Sequence, residues 1–202
     1  MPHRLLEGLQ RFRRDRFPKY REHYERLVAE GQRPGTLFIG CCDSRVVPDV
    51  ITDSAPGELF VARNVGNLVP PFTPDADFHG TSAAIEFATV VLGVTDIVVC
   101  GHSHCGAIRA LYEPLPQDTP HIARWLELGR EAMVEGELSD ALLRVTEQRS
   151  VVLQLARLMT FPMVSERVDA GTLSLHGWHY VIESGRVAVL DITTGEFSTD
   201  SP

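Results

Sequence analysis

Long apolar runs are missing from this chain. None approaches the ~20 residues that a membrane-spanning helix needs. The start, Met1-Pro2-His3-Arg4-Leu5-Leu6-Glu7, carries charge early and has no uninterrupted apolar core. Neither a membrane span nor a signal peptide is expected, and the chain reads as cytoplasmic. Positive charge is also scarce: 19 Lys and Arg stand against 27 Asp and Glu, a formal net charge of -8. Binding to phosphate backbones needs a basic face, so no nucleic-acid partner is expected. The one basic stretch, Arg11-Phe12-Arg13-Arg14-Asp15-Arg16 with Lys19 and Arg21 after it, reads as a solvated or subunit-facing helix surface. There are only four cysteines and no Cys-x-x-Cys, which argues against dithiol redox chemistry. They cluster as Cys41, Cys42, Cys100 and Cys105 instead of being scattered as loop staples. Without an export signal, that clustering favours a metal over disulfides. No internal repeat, low-complexity tract or domain-scale linker is visible, so the 202 residues read as a single domain with a helical arm over 1–33.

Periodicity supplies the elements. Residues 3–31 read as helix, with Leu5, Leu6, Leu9 and Phe12 on one stripe and Tyr20, Tyr24, Leu27 and Val28 on another. Pro18 should break or kink the run, and Gly31 should stop it. Its few apolar residues per turn suit an arm that packs on a partner subunit. Short β-rich runs predict strands over 36–41, 58–63 and 95–100. Helices are expected over 80–93, from His104 or Cys105 to Tyr112, over 120–135 and over 138–160, with Pro162 marking an end. Residues 43–57 and 64–78 are rich in turn formers and read as loops. Residues 172–182 and 186–193 alternate apolar and polar and meet at Ser184-Gly185, as adjacent strands do. The expected fold is α/β: a mainly parallel central sheet flanked by helices, with an antiparallel last strand.

Two of the strand runs end on unusual residues. Thr36-Leu37-Phe38-Ile39-Gly40 delivers Cys41, and Asp96-Ile97-Val98-Val99-Cys100-Gly101 delivers His102 with Cys105 three residues on. The carboxyl edge of an open α/β sheet is where ligands bind. Two Cys and one His are three good zinc ligands, and a site with three protein ligands keeps a position for water and is catalytic. The plain alternative is two buried thiols and a satisfied histidine. It leaves Asp43-Ser44-Arg45, beside Cys41, without a purpose. Adjacent strand residues point to opposite faces, so Cys42 should lie behind the site and not in it. Cys100 reads as core, and His104 as an exposed residue at the mouth, suited to moving protons. Asp43 is the one plausible fourth protein ligand, but Arg45 can hold its carboxylate bidentately. That choice makes a switch: open with Asp43 on Arg45, closed with Asp43 on the metal.

At these residues the chain resembles the β-class carbonic anhydrases. Their pattern of Cys-x-Asp-Ser-Arg, an Arg-Asn-x-x-Asn-type turn and Gly-His-x-x-Cys-Gly reads here as Cys41-Cys42-Asp43-Ser44-Arg45, then Arg63-Asn64-Val65-Gly66-Asn67, then Gly101-His102-Ser103-His104-Cys105-Gly106. The resemblance runs from about Leu5 to Val189. It implies one zinc ion on Cys41, His102 and Cys105, an Asp43–Arg45 dyad that orients the nucleophile, and reversible hydration of carbon dioxide to bicarbonate. It further implies that Gln32 binds substrate, often across a subunit boundary. Phe60, Val65 and Phe87 would line a narrow apolar pocket, and the Gly106 amide would face it. The family assembles as a homodimer with a wrapped arm, often as a tetramer or more. Some members carry an inhibitory bicarbonate site of Trp, Arg and Tyr. The matching positions here are Phe38, Arg63 and Tyr180, so the Trp is absent and that regulation is not expected; Arg63 would then pair with a carboxylate. Two thiolates cancel the zinc's formal charge, so activity should rise above neutral pH. Carbonyl sulfide or carbon disulfide hydrolysis at the same zinc, or a low-turnover zinc-stabilised sensing or assembly role, are the competing readings.

Overall fold

A computed structural model describes residues 3–75 and 79–199; Ala76–Phe78, within the expected 64–78 loop, lie outside the described residues. The contacts divide the chain into two compact units, Met1–Arg33 and Pro34–Pro202. In the first, α1 (His3–Arg11) and α2 (Phe17–Glu30) are joined by wider π-type turns over Phe12–Arg16. Pro18 accounts for the irregularity: it has no N–H to return to the preceding turn. Gly31 ends α2 at φ 78°, the left-handed region that favours glycine. Phe17 stacks on Tyr24 with ring centroids 5.8 Å apart. Neither α1 nor α2 contains a buried residue.

The second unit is built on one sheet. Its strands are β1 (Thr36–Cys41), β2 (Leu59–Asn64), β3 (Asp96–His102), β4 (Ser174–Val181), β5 (Arg186–Asp191) and β6 (Glu196–Ser198), in the order β2-β1-β3-β4-β5-β6. The β2, β1, β3 and β4 neighbours are parallel, while β5 and β6 add antiparallel. β1 and β3 are buried along almost their whole length, as parallel strands covered on both faces must be. The chain leaves β1 toward β2 on one side and later returns to β3 on the other. The carboxyl ends of β1 and β3 therefore flank the switch point of the sheet, where a crevice opens.

The main core lies between one sheet face and its helices, with Leu37, Ile39, Ile97, Val99, Val151, Leu155 and Phe161 at its centre. The long helix α7 (Asp140–Leu158) seats on β3 and β4. It can come that close because the sheet beneath it is notched. A Cβ on Gly101 would meet Val151 Cγ2 at 2.7 Å, and one on Gly177 would stand 3.0 Å from both Leu155 Cδ1 and Val151 Cγ1. The opposite sheet face carries a small cluster of Phe38, Val98 and Cys100 under Trp178 and Tyr180.

Several elements differ from the sequence expectation for local reasons. α3 (Pro48–Thr52) and α8 (Pro162–Asp169) stand where turns or a stop were expected. In both, proline opens the helix at the position where its missing N–H costs nothing. The 80–93 helix is α4 (Gly80–Glu86) followed by π turns over Phe87–Leu92. The helix expected to reach Tyr112 is only the four residues of α5 (Gly106–Arg109). α6 (Pro120–Leu126) continues as a 3-10 helix over Glu127–Ala132, and β6 follows a tight turn at Gly195. No helix among the described residues is long and apolar enough to cross a membrane.

Candidate metal centre

The last residue of β1 and the last of β3 meet at the switch point, joined by the residue that precedes α5. Cys41 Sγ, a His102 ring nitrogen and Cys105 Sγ all lie within 4.8 Å of one another, and all three residues are buried. Ligands at tetrahedral angles around zinc stand roughly 3.5–4 Å apart, so the three can share one ion with small adjustments.

Each donor is prepared locally. His102 Nδ1 lies 2.9 Å from the Ser103 carbonyl, which can only accept, so the proton sits on Nδ1 and Nε2 carries the lone pair. That Nε2 is fully buried with no hydrogen-bond partner among the described residues. An orphaned buried acceptor is costly, and a metal would satisfy it. Burial pushes the His102 pKa down, but the Cys41 contact and the Ser103 carbonyl outweigh it and leave it raised. Cys41 is held as a thiolate. The neighbouring Cys105 thiol is the largest cause; the Asp43 and Gly66 amides, both 3.4 Å from Sγ, add to it and lower the Cys41 pKa to about 4 against the burial cost. Cys105 shifts upward, first because its proton is shared with Cys41 and then through burial. Metal binding would release that proton. Gly66 reaches Cys41 because it adopts φ 82°, and a Cβ there would collide with Ala107 at 2.9 Å. The residues therefore suit zinc: one thiolate, one thiol whose proton metal binding would release, and one oriented imidazole.

Asp43 stands beside this group but turns to Arg45. Arg45 Nε donates to Oδ1 at 2.9 Å and Nη2 to Oδ2 at 2.7 Å, while the Arg45 amide adds a third bond at 2.9 Å. The guanidinium also donates to the His104 carbonyl at 3.1 Å. This pairing holds the Asp43 carboxyl well below the usual carboxylate range. Oδ2 remains 4.0 Å from His102 Nε2. Within the one chain, Arg63 donates to the carbonyls of Cys41 at 2.9 Å and Asp43 at 2.8 Å, bracing the turn between them.

The remaining candidates are distributed unevenly. Cys100 is core, its pKa raised to about 12 by burial. Cys42 is exposed, not packed behind the site; with Val65, Trp125, His79, His121 and Leu128 it lines a cleft of about 770 Å³. Trp125 Nε1 donates to the Val65 carbonyl at 2.7 Å and fixes that wall. Gly106 opens α5 with nothing within 4 Å of its Cβ position. Phe60 and Phe87 stack on each other at 5.7 Å. Phe60 pairs in register with Leu37, four residues before Cys41, or about 13 Å along the strand, so one chain does not bring this pair to the metal donors. Gln32 lies, exposed, in the first unit. His104 is exposed at φ 56°, with Nε2 3.7 Å from Glu183. Phe38 meets Trp178 edge-on at 6.2 Å.

Sequence reading missed Glu147. It is 2% exposed on α7, accepts the Cys105 amide at 3.0 Å and meets His179 Nε2 at 3.0 Å. A signal existed: Leu143, Glu147, Val151 and Leu155 form one buried helix stripe containing a single acid.

Comparison with known proteins agrees with this geometry. The family model described as carbonic anhydrase matches residues 36–187. A carbonic anhydrase of Pseudomonas aeruginosa is 44% identical over 203 residues, spanning 96% of this chain and 89% of the relative. Among solved structures, the β-carbonic anhydrase CcaA superposes with a TM-score of 0.89 at 41% identity, covering 96% of this chain and 97% of its own. A tetrameric β-carbonic anhydrase from Sordaria macrospora gives 0.80 at 28% identity, covering 97% and 98%.

Proposed function

The chain belongs to the β-carbonic anhydrase family, and on that premise we propose that it hydrates carbon dioxide reversibly to bicarbonate and a proton, with one zinc ion on Cys41, His102 and Cys105. The observation that carries this reading is the buried, unpartnered His102 Nε2 set within 4.8 Å of two cysteine sulfurs. Zinc held there supplies Lewis acidity and lowers the pKa of a water that serves as nucleophile.

The chain's own residues do the rest. Asp43 accepts a hydrogen from the attacking water and leaves a lone pair facing the carbon. Its carboxyl, held low by Arg45, is a poor proton sink near neutrality, so Asp43 orients the nucleophile and does not retain the proton. Arg45 fixes both carboxylate oxygens, which removes the rotational freedom that would spoil that alignment. Val65, half-exposed beside Trp125, forms an apolar wall, and the Gly106 amide would face substrate. Phe60, Phe87 and Gln32 would complete the pocket from a second copy of the chain, and the 1–33 unit would serve as the arm of that homodimer or tetramer. α1 and α2, with no buried residue of their own, support this.

Stopped-flow hydration by zinc-loaded protein tests the proposal. Because Asp43 stays ionised, the profile follows the nucleophile: the rate is expected to rise between about pH 6 and about pH 9. Hydration absent at every pH with zinc bound would sink the proposal. Faster turnover of carbonyl sulfide than of carbon dioxide, measured in parallel, would move the site to the sulfur-containing gases.

A further inference from the structure

Behind the metal donors lies a chain of polar groups that none of the chemistry above uses. Glu147 Oε1 accepts the amide of Cys105, and Oε2 meets His179 Nε2, each at 3.0 Å. Arg144, one turn earlier on α7, places Nε 3.7 Å from Glu147 Oε2 and donates from Nη2 to Glu183 Oε1 at 3.2 Å. The other Glu183 oxygen accepts from Ser103 Oγ at 2.8 Å, and Ser103 Oγ also receives the Ile182 amide. The Ser103 carbonyl is the group that orients the His102 ring. One guanidinium thus bridges two carboxylates, and the carboxylates lead to two different metal donors.

A buried acid is expensive unless it is fully partnered, and Glu147 occupies a stripe where Leu143, Val151 and Leu155 show that an apolar residue fits. Its reach depends on the notch at Gly101, which lets α7 lie against β3. His179, fully buried, gives its Nε2 to Glu147 and leaves Nδ1 without a hydrogen-bond partner among the described residues. These groups hydrogen-bond Ser103 and Cys105, on the segment that also carries His102.

We propose that Arg144, Glu147 and Glu183 form an outer clasp that positions Cys105 and His102, with Glu147 as its central positioning residue. The inference rests on the reading of Cys41, His102 and Cys105 as metal ligands. Outer partners of this kind typically hold about 10–100-fold in metal affinity.

The experiment measures chelator-driven zinc release from folded protein, and the thiolate-to-metal absorption of the cobalt-loaded form, in the parent, Glu147→Ala, Glu147→Gln and Arg144→Met. Glu147→Ala is expected to release zinc about 10–100-fold faster and to shift the cobalt band. Glu147→Gln keeps an acceptor for the Cys105 amide and should recover most of the parent's behaviour. A residue that only stabilises the fold would lower the melting temperature and leave both readouts unchanged. Parent-like release and spectrum in a folded Glu147→Ala overturn the clasp. If that variant does not fold, the half-exposed Arg144→Met decides: faster release supports the clasp, and an unchanged rate overturns it. A parent that gives no thiolate–cobalt band overturns the metal reading itself, an outcome distinct from variants that match a metal-binding parent.

Discussion

Arg45→Ala is expected to lower carbon dioxide hydration by about 10²–10³-fold with bound zinc unchanged, because alignment errors near 1 Å and lost electrostatic positioning each cost that much. Arg45 holds Asp43 by both oxygens and by its own amide, and so acts on the proposed centre through that carboxylate. Without the guanidinium, the Asp43 carboxyl rises toward the ordinary carboxylate range. The sign is therefore fixed. The Asp43 contribution is present above its pKa and is lost as pH falls through it, so below the limb that the nucleophile sets the variant should show a second fall near the ordinary carboxylate pKa of about 4, which the parent lacks. Arg45→Lys should not restore the rate, since an ammonium cannot reproduce the two-point fork. Stopped-flow hydration with metal analysis checks both variants. Wild-type turnover by Arg45→Ala at alkaline pH would remove the dyad from the mechanism.

The second large effect lies on the metal. Cys41→Ser is expected to weaken zinc binding by about 10³-fold or more, since a serine hydroxyl does not supply an anion near neutrality and zinc takes anionic sulfur. Cys41 is the donor best prepared to bind as an anion, because the Cys105 thiol and the Asp43 and Gly66 amides lower its pKa. Cys42→Ser is the matched comparison, one residue along and on the exposed side. Equilibrium competition with a chromophoric chelator measures both. Tight zinc binding by Cys41→Ser, or loss of zinc in Cys42→Ser, would mean that the donor set is wrong.

The sheet and the metal edge were legible because they are written locally. The runs 36–41 and 95–100 carry the apolar stretches Leu37-Phe38-Ile39 and Ile97-Val98-Val99-Cys100, and their bounds match β1 and most of β3. Cys41, His102 and Cys105 follow directly from where those runs end. Helix boundaries were less legible where proline was read only as a stop. At Pro48 and Pro162 it begins a helix, and no single-residue propensity separates those roles. The outer clasp was hidden for a different reason. Arg144 and Glu147 stand roughly forty residues from Cys105 in sequence, and only the seating of α7 on the Gly101 and Gly177 notches brings them under it. The apolar pocket was legible only as a list of residues. Val65 reaches the cleft, but Phe60 and Phe87 share a flank of the sheet that a single chain leaves apart from the metal donors.

The most direct measurement follows one preparation through metal removal and return. Hydration is recorded for the parent as isolated, after dialysis against a strong chelator, and after stoichiometric zinc is added back. Activity that disappears with the metal and returns with it, and that fails to return in Cys41→Ser, is the expected result. Full hydration activity in the metal-free parent would contradict the proposed centre outright.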